Sequence, residues 1–352
     1  MMSESRPTRV LVVDDSVVAR RVISEILDSE EDIEVVGTAA NGRIALAKIP
    51  RLNPDLVTLD VEMPEMDGLE TLSRIRADFP SIKVVMLSNL TRQGGLATVE
   101  SLFRGASDYV TKASKMESPE AAQTFLREQL VPKINALAGR LESPSSGRCR
   151  RVAAKPISAP IDIVAIGVST GGPNALRTVL GGIPSDFEVP IVIVQHMPPD
   201  FTRSLAERLD TLCDIRVFEG RTGARVNSGT AWVAPGDRHM EVTGVDGGVT
   251  LVTRFGPMEN SCRPSVDVLF RSVVKLYGPA TLAVILTGMG QDGLAGCREV
   301  DRNRGRVLAQ DEATSVVWGM PGQVVRAGLA QSVLPVEAIG GEIVRCVRSS
   351  RT

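Results

Sequence analysis

Two sets of residues in this chain carry chemistry. In the first, polar residues close short apolar runs: Asp14 and Asp15 close VLVVDD, Asp60 closes DLVTLD, Ser88 closes VVMLS and Lys112 closes SDYVTK. Three carboxylates converging on one point repel each other. A divalent cation among them relieves that repulsion, and oxygen ligands of this kind suit Mg2+. Lys112 balances further negative charge, and Ser88 offers a hydroxyl. The bland alternative is that the Asp residues cap helices, as Asp15 could before Ser16. Capping does not explain Asp60, which precedes VEMPEMDG rather than a helix, or the lysine on a fourth strand.

The second set begins with IGVSTGG, Ile166–Gly172. A dinucleotide loop wants G-x-G-x-x-G, and Ser169 stands where its second Gly is needed. There is no GK[ST], which excludes a P-loop. Gly167–Gly171 does match G-x-S-x-G, the strand-to-helix elbow that exposes a nucleophilic Ser, although that match alone is weak. A Ser nucleophile needs a base, and the base needs an orienting acid. The chain has only two His. His196 closes PIVIVQH, so it shares a sheet edge with Ser169 provided the two strands are parallel. His239, after VAPGDR, is the rival and fits a structural role. Asp292, in GMGQDG, and Asp311, closing RVLAQD, compete for the acid. Asp292 is preferred because Gly288, Gly290 and Gly293 let its loop fold back tightly and offer backbone N–H groups to an oxyanion. The N–H of Thr170 is the second expected donor. A tight βα turn with Asp292 as a helix cap is the structural alternative, but it leaves the shared edge of Ser, His and Asp unexplained.

Both sets need strands that end together. Before residue 143, β-rich runs alternate with helical patterns such as Val99, Leu102 and Phe103, which predicts a doubly wound, flavodoxin-like α/β domain with a parallel sheet. The last helix is expected to start at Ser118 with Pro119 in its first turn and to run toward Leu141, disturbed at Pro132. Residues 143–160, SPSSGRCRRVAAKPISAP, are rich in Ser, Pro and small residues and read as a linker. Beyond it the strands IDIVAIG, PIVIVQH, TLAVILTG and RVLAQD predict a second, Rossmann-like parallel α/β domain. The β-like, Gly-rich stretch from Val217 to Val252 is expected to be a hairpin excursion from it. Val266, Leu269, Phe270, Val273, Val274 and Tyr277 mark the clearest amphipathic helix.

The bulk numbers agree with two domains of ordinary soluble character. The chain has 352 residues, 43% hydrophobic and 23% charged, with a net charge of -2 that argues against a nucleic-acid partner. Five widely spaced Cys (Cys149, Cys213, Cys262, Cys297, Cys346) include no C-x-x-C, and predict reduced cytoplasmic thiols rather than a disulfide frame or a zinc site. No apolar run is long enough to span a membrane, and the early strand leaves no room for a signal peptide.

Across residues 8–128, VVDDS, LDVEMPEMDGLE, MLS and YVTK resemble the response-regulator receiver family. The resemblance implies that Asp60 accepts a phosphoryl group from a histidine kinase. It also implies Mg2+ held by Asp15, Asp60 and the Glu62 backbone with Asp14 assisting, and a switch through Ser88, Tyr109 and Lys112. Receivers usually carry Pro after that lysine; here it is Ala113. Across residues 160–345, IGVSTGGPNAL, VQHMPPDFTRSLAERLD, VAPGDRHM, CRPSVDVLFRSV, LTGMGQDG and QDEATSVVWGMP resemble the CheB family of chemotaxis methylesterases. This second resemblance implies a triad of Ser169, His196 and Asp292, with the Met289 backbone in the oxyanion hole and no cofactor at the esterase site. The implied substrates are glutamate methyl esters, and selected glutamines, on methyl-accepting chemoreceptors. The expected layout is a receiver at 1–128, a helix extension and linker at 129–159, and a catalytic domain at 160–350. A phosphorylation-controlled, cytoplasmic enzyme follows, whose receiver is expected to restrain the esterase until Asp60 is phosphorylated. The alternative is a non-enzymatic response regulator whose second domain binds a partner.

Overall fold

The computed structural model describes residues 6–89, 91–112, 118–139, 159–245 and 247–351. The chain divides into two compact units, Met1–Glu142 and Ser143–Thr352. Ala113 and Cys149, with most of the linker, lie outside the described residues.

The first unit alternates strand and helix: β1 (Thr8–Val13), α1 (Val17–Asp28), β2 (Ile33–Ala39), α2 (Gly42–Leu52), β3 (Leu56–Asp60), α3 (Gly68–Asp78), β4 (Lys83–Ser88), α4 (Arg92–Phe103), β5 (Asp108–Thr111) and α5 (Pro119–Leu137). The strands form one parallel sheet in the order β2-β1-β3-β4-β5. β1, β3 and β4 are almost wholly buried because helices cover both faces, which is why they read as continuous apolar runs. The strand order reverses between β1 and β3, leaving a crevice at their carboxyl ends. β1 stops at Val13, so Asp14 and Asp15 lie just beyond it. The cap of α1 is Ser16, whose hydroxyl accepts from Ala19 N at 3.3 Å, so Asp15 is not needed there. α5 is capped by Ser118 with Pro119 in its first turn, carries Pro132 inside, and ends at Leu137. It therefore crosses residue 128 without a break.

The second unit runs β6 (Ile163–Val168), α6 (Gly172–Gly181), β7 (Ile191–Gln195), α7 (Phe201–Leu212), β8 (Arg216–Glu219), β9 (Thr230–Val233), β10 (His239–Val245), β11 (Gly248–Arg254), α8 (Val266–Tyr277), β12 (Thr281–Ile285), α9 (Leu294–Arg302), β13 (Arg306–Gln310), α10 (Met320–Arg326), β14 (Ser332–Leu334) and α11 (Val336–Ser349). Among the described residues, seven strands pair in parallel in the order β14-β13-β12-β6-β7-β9-β8. Among the described residues of the stretch expected to be a hairpin excursion, only β10 and β11 pair as an antiparallel hairpin; β8 and β9 extend the main sheet beyond β7. Their alternation resembles a hairpin locally, but Ile191–Ile193 offers an open parallel edge that β9 takes. The reversal in this sheet falls at β6, flanked by β7 and β12, so the ends of these three strands meet in one crevice.

Candidate functional site

At the crevice of the first unit, Asp14, Asp15 and Asp60 each place a carboxylate oxygen within 4.8 Å of the others. Lys112 Nζ lies 2.7 Å from Asp14 Oδ2 and 2.7 Å from Asp60 Oδ2. Asp60 is 3% exposed. Burial pushes its carboxyl up to about 6; the hydrogen bond and charge of Lys112 oppose that, while Asp14 and Asp15 add to it. The donor set is all oxygen, and the crowded carboxylates hold more negative charge than one lysine cancels, so the residues fit a hard divalent ion. Asp15 and Glu62 line one open groove beside the cluster, together with Met63 and Asp67. The other two predicted residues lie on β4 and β5. The buried Ser88 hydroxyl donates to the Gly94 carbonyl at 3.2 Å, while the Ser88 carbonyl accepts from Lys112 N at 2.7 Å. Tyr109 is buried, with Lys133 Nζ 4.9 Å from its ring centre.

In the second unit, the register pairs Val168 with Gln195, so Ser169 and His196 each stand one step past a paired position on neighbouring strands. Neighbouring strands lie about 4.8 Å apart. His196 N donates to the Val168 carbonyl at 3.2 Å, and Gln195 Nε2 donates to the Ser169 carbonyl at 2.9 Å. From the other side, Ser169 N donates to the Thr287 carbonyl at 3.0 Å. The chain then turns through Gly171, at φ 77, into α6, which makes Ser169 a strand-to-helix elbow. A Cβ on Gly171 would also sit 2.5 Å from Val316 Cγ2. Gly288 approaches as closely: a Cβ there would lie 2.8 Å from Ser169 Cβ and 3.1 Å from its nitrogen. That approach sets the next residue, Met289, beside the elbow.

His196 Nε2 lies 2.8 Å from Asp292 Oδ2. His239, the rival, opens β10 and is buried, with its ring against Pro257 O at 2.8 Å and Ser265 N at 3.2 Å; its role is structural. Asp311 shapes a turn by accepting from Thr314 N at 3.0 Å. Asp292 is 2% exposed yet ionised. Burial alone would raise its pKa. The His196 hydrogen bond and charge outweigh it, with the Val266 and Asp267 N–H groups adding to them, and hold it at about 2.

Sequence reasoning missed much of this support. Oδ2 of Asp292 accepts from Val266 N at 2.7 Å, and Oδ1 accepts from Asp267 N at 3.1 Å and from Ser265 Oγ at 2.8 Å. The carboxylate thus caps α8 from outside, where the helix dipole favours negative charge. Ser265 looks like an ordinary N-cap in CRPSVD, but its hydroxyl serves Asp292 and not its own helix. Asn260 Nδ2 bridges Asp292 Oδ1 at 3.0 Å and Asp267 Oδ2 at 2.9 Å. Nothing in the sequence pairs a loop asparagine with an aspartate 32 residues away.

The imidazole is also placed differently from expectation. Its second nitrogen, Nδ1, lies 3.6 Å from Cys262 Sγ. Among the described residues, its two side-chain partners are Asp292 and Cys262, and neither nitrogen bonds the Ser169 hydroxyl. Burial would lower the ring's pKa; the hydrogen bonds to Asp292 and Cys262 outweigh that and raise it to about 10.

Residues 164–343 match the CheB methylesterase family, and residues 10–122 match the response regulator receiver domain. A protein-glutamate methylesterase/protein-glutamine glutaminase of Trichodesmium erythraeum is 52% identical over 345 residues, covering 96% of this chain and 98% of that one. A protein of the same name from Nocardioides sp. is 48% identical, covering 97% and 96%. The crystal structure of the Thermotoga maritima CheB methylesterase catalytic domain aligns with a TM-score of 0.52 at 42% identity, over 53% of this chain and 98% of that one. Elbow, histidine and capped aspartate on one sheet edge therefore stand in a recognised setting: the chain belongs to the CheB methylesterase family, with a response-regulator receiver domain ahead of the methylesterase domain.

Proposed function

We propose that this protein hydrolyses the methyl esters of glutamate side chains on methyl-accepting chemoreceptors, releasing methanol. The same site deamidates selected receptor glutamines, releasing ammonia. The observation that carries this is the 2.8 Å His196–Asp292 pair beside an elbow serine held in register with it. Because Nε2 faces Asp292, Nδ1 is the nitrogen that serves Ser169, and it exchanges Cys262 for the serine hydroxyl to do so. Leaving Cys262 removes one of the contacts that raise the ring's pKa, so Nδ1 gives up its proton to solvent and then takes the Ser169 proton as Oγ attacks the ester carbonyl. The N–H groups of Thr170 and Met289 hold the oxyanion. His196 returns the proton to the departing methoxide, and water cleaves the acyl-enzyme by the same relay. Asp292 stays ionised and fixes the ring's tautomer throughout.

In the receiver, Asp60 accepts the phosphoryl group from a histidine kinase. Asp14, Asp15, Asp60 and the Glu62 backbone would hold Mg2+, which when bound offsets charge on the phosphoryl oxygens. Ser88, Tyr109 and Lys112 carry the change outward, and Lys112 already bridges Asp14 and Asp60. Among the described residues no helix is long and apolar enough to cross a membrane, in keeping with an enzyme that meets its receptors from the cytoplasm. The test is methanol release from methylated receptor membranes with and without a small phosphodonor. The native protein should respond to the phosphodonor, Asp60→Asn should not, and Ser169→Ala should release none while still becoming phosphorylated. A fluorophosphonate should label Ser169; failure to label would make the second unit a binding module.

A further inference from the structure

Cys262 has no part in the reaction above, yet it occupies the reactive nitrogen of His196. It is half-buried, and its position is built rather than incidental. Glu259 and Cys262 exchange both backbone hydrogen bonds, at 3.1 and 2.9 Å, across a tight turn whose central residues, Asn260 and Ser261, have φ of 51 and 60. Asn260 anchors that turn to Asp292 and Asp267. The imidazole is equally fixed, since Asp292 holds Nε2 and aims Nδ1 at the sulfur.

The separation is that of a hydrogen bond to sulfur, and it is also one that a single ion can bridge. A tetrahedral zinc ion takes nitrogen at about 2.0–2.1 Å and sulfur at about 2.3 Å, so its two ligand atoms stand roughly 3.6 Å apart. The Nδ1···Sγ distance is 3.6 Å. Metal-binding imidazoles also carry a carboxylate on their other nitrogen, which fixes the tautomer, and Asp292 does this here. His196, Cys262 and Asp292 each offer a donor atom within 4.8 Å of the others. The buried carboxylates of Asp292 and Asp267 add negative potential around it. Imidazole with thiolate selects a soft or borderline cation over Mg2+.

We propose that His196 Nδ1 and Cys262 Sγ are two ligands of a site for a thiophilic divalent cation such as Zn2+, and that a bound ion keeps the imidazole from Ser169. The thiol binds as thiolate and Nδ1 through its lone pair, so their protons leave to solvent as the ion arrives. Water completes the coordination. The open-spaced cysteines give no hint of this site in sequence, because its ligands lie 66 residues apart.

Cobalt tests the site in the reduced full-length protein, with excess Mg2+ filling the acidic cluster of the receiver. Co2+ should produce a thiolate-to-metal charge-transfer absorption that saturates at one equivalent and is displaced by Zn2+. The band should vanish in Cys262→Ser, with Cys262→Ala as the second variant and circular dichroism confirming that each is folded. No band in the native protein, or a full band in a folded variant, overturns the site. Zn2+ should also slow fluorophosphonate labelling of Ser169 at least tenfold in the native protein and leave Cys262→Ser labelling unchanged; equal labelling rates overturn the blocking. The blocking rests on Ser169 being the nucleophile, whereas the cobalt band does not, so the ion site and the esterase reading fail separately.

Discussion

Oδ2 of Asp292 accepts the N–H of Val266 at 2.7 Å, so a residue from the loop after β12 caps the helix α8. The same oxygen meets His196, which ties the orientation of the imidazole to the first turn of α8. Asp292→Asn puts an amide where several donors converge. Methanol release should fall about 10³–10⁴-fold through loss of the correct tautomer. Stability should fall by about 1–3 kcal/mol, read by denaturant unfolding. Unchanged turnover would remove Asp292 from the relay.

Asn260→Gly keeps a residue that tolerates the left-handed backbone but deletes the bridge between Asp292 and Asp267. Burial already pushes the Asp267 carboxyl up to about 6, opposed by the Gly296 N–H and reinforced by the Asp292 charge. Loss of the bridging donor should cost about 1–3 kcal/mol. It should also lower the rate of Ser169 labelling, because the turn that holds the Asp292 carboxylate loosens.

Gly288→Ala introduces a methyl group 2.8 Å from Ser169 Cβ and 2.5 Å from Met320 Sδ. The methionine can move; the elbow serine cannot without leaving its register. Labelling of Ser169 should slow at least tenfold, with stability lowered by about 1–3 kcal/mol. Gly290→Ala is the comparison. Its φ is 86 and nothing lies within 4 Å of the new methyl, so it should show backbone strain of about 1–2 kcal/mol and a smaller change in labelling.

Asp60 titrates at about 6 in the folded protein against 3.8 ordinarily, so the folded state holds its proton longer than the unfolded one. A raised carboxyl adds no penalty below pH 3.8, and stability is lost as pH rises from there to about 6. At pH 7 without Mg2+, Asp60→Asn should therefore be more stable than the native protein, by about 3 kcal/mol. Hydrogen-exchange protection of β1 and β3 reads this directly. Added Mg2+ should raise protection in the native protein and do so less in the variant. A variant that is less stable at pH 7 would show that Lys112 more than offsets the burial of Asp60.

What the sequence determined by itself is what depends on neighbours along the chain. Continuous apolar runs between helical patterns state two parallel sheets, because a strand covered on both faces has no polar side. The polar residue that ends each run must then lie at a sheet edge, so Asp14, Asp15, Asp60 and Lys112 were legible as a cluster, as were Ser169, His196 and Asp292 as neighbours. Pairing and capping between distant segments were decided only in three dimensions. β8 and β9 joined the main sheet because β7 left a free edge, a fact no local alternation records. Asp292 met α8, and Cys262 met Nδ1 of His196, because two loops from distant strands close over one crevice. Hydrogen bonds act over about 3 Å, and sequence spacing carries no information at that scale once the chain has turned back on itself.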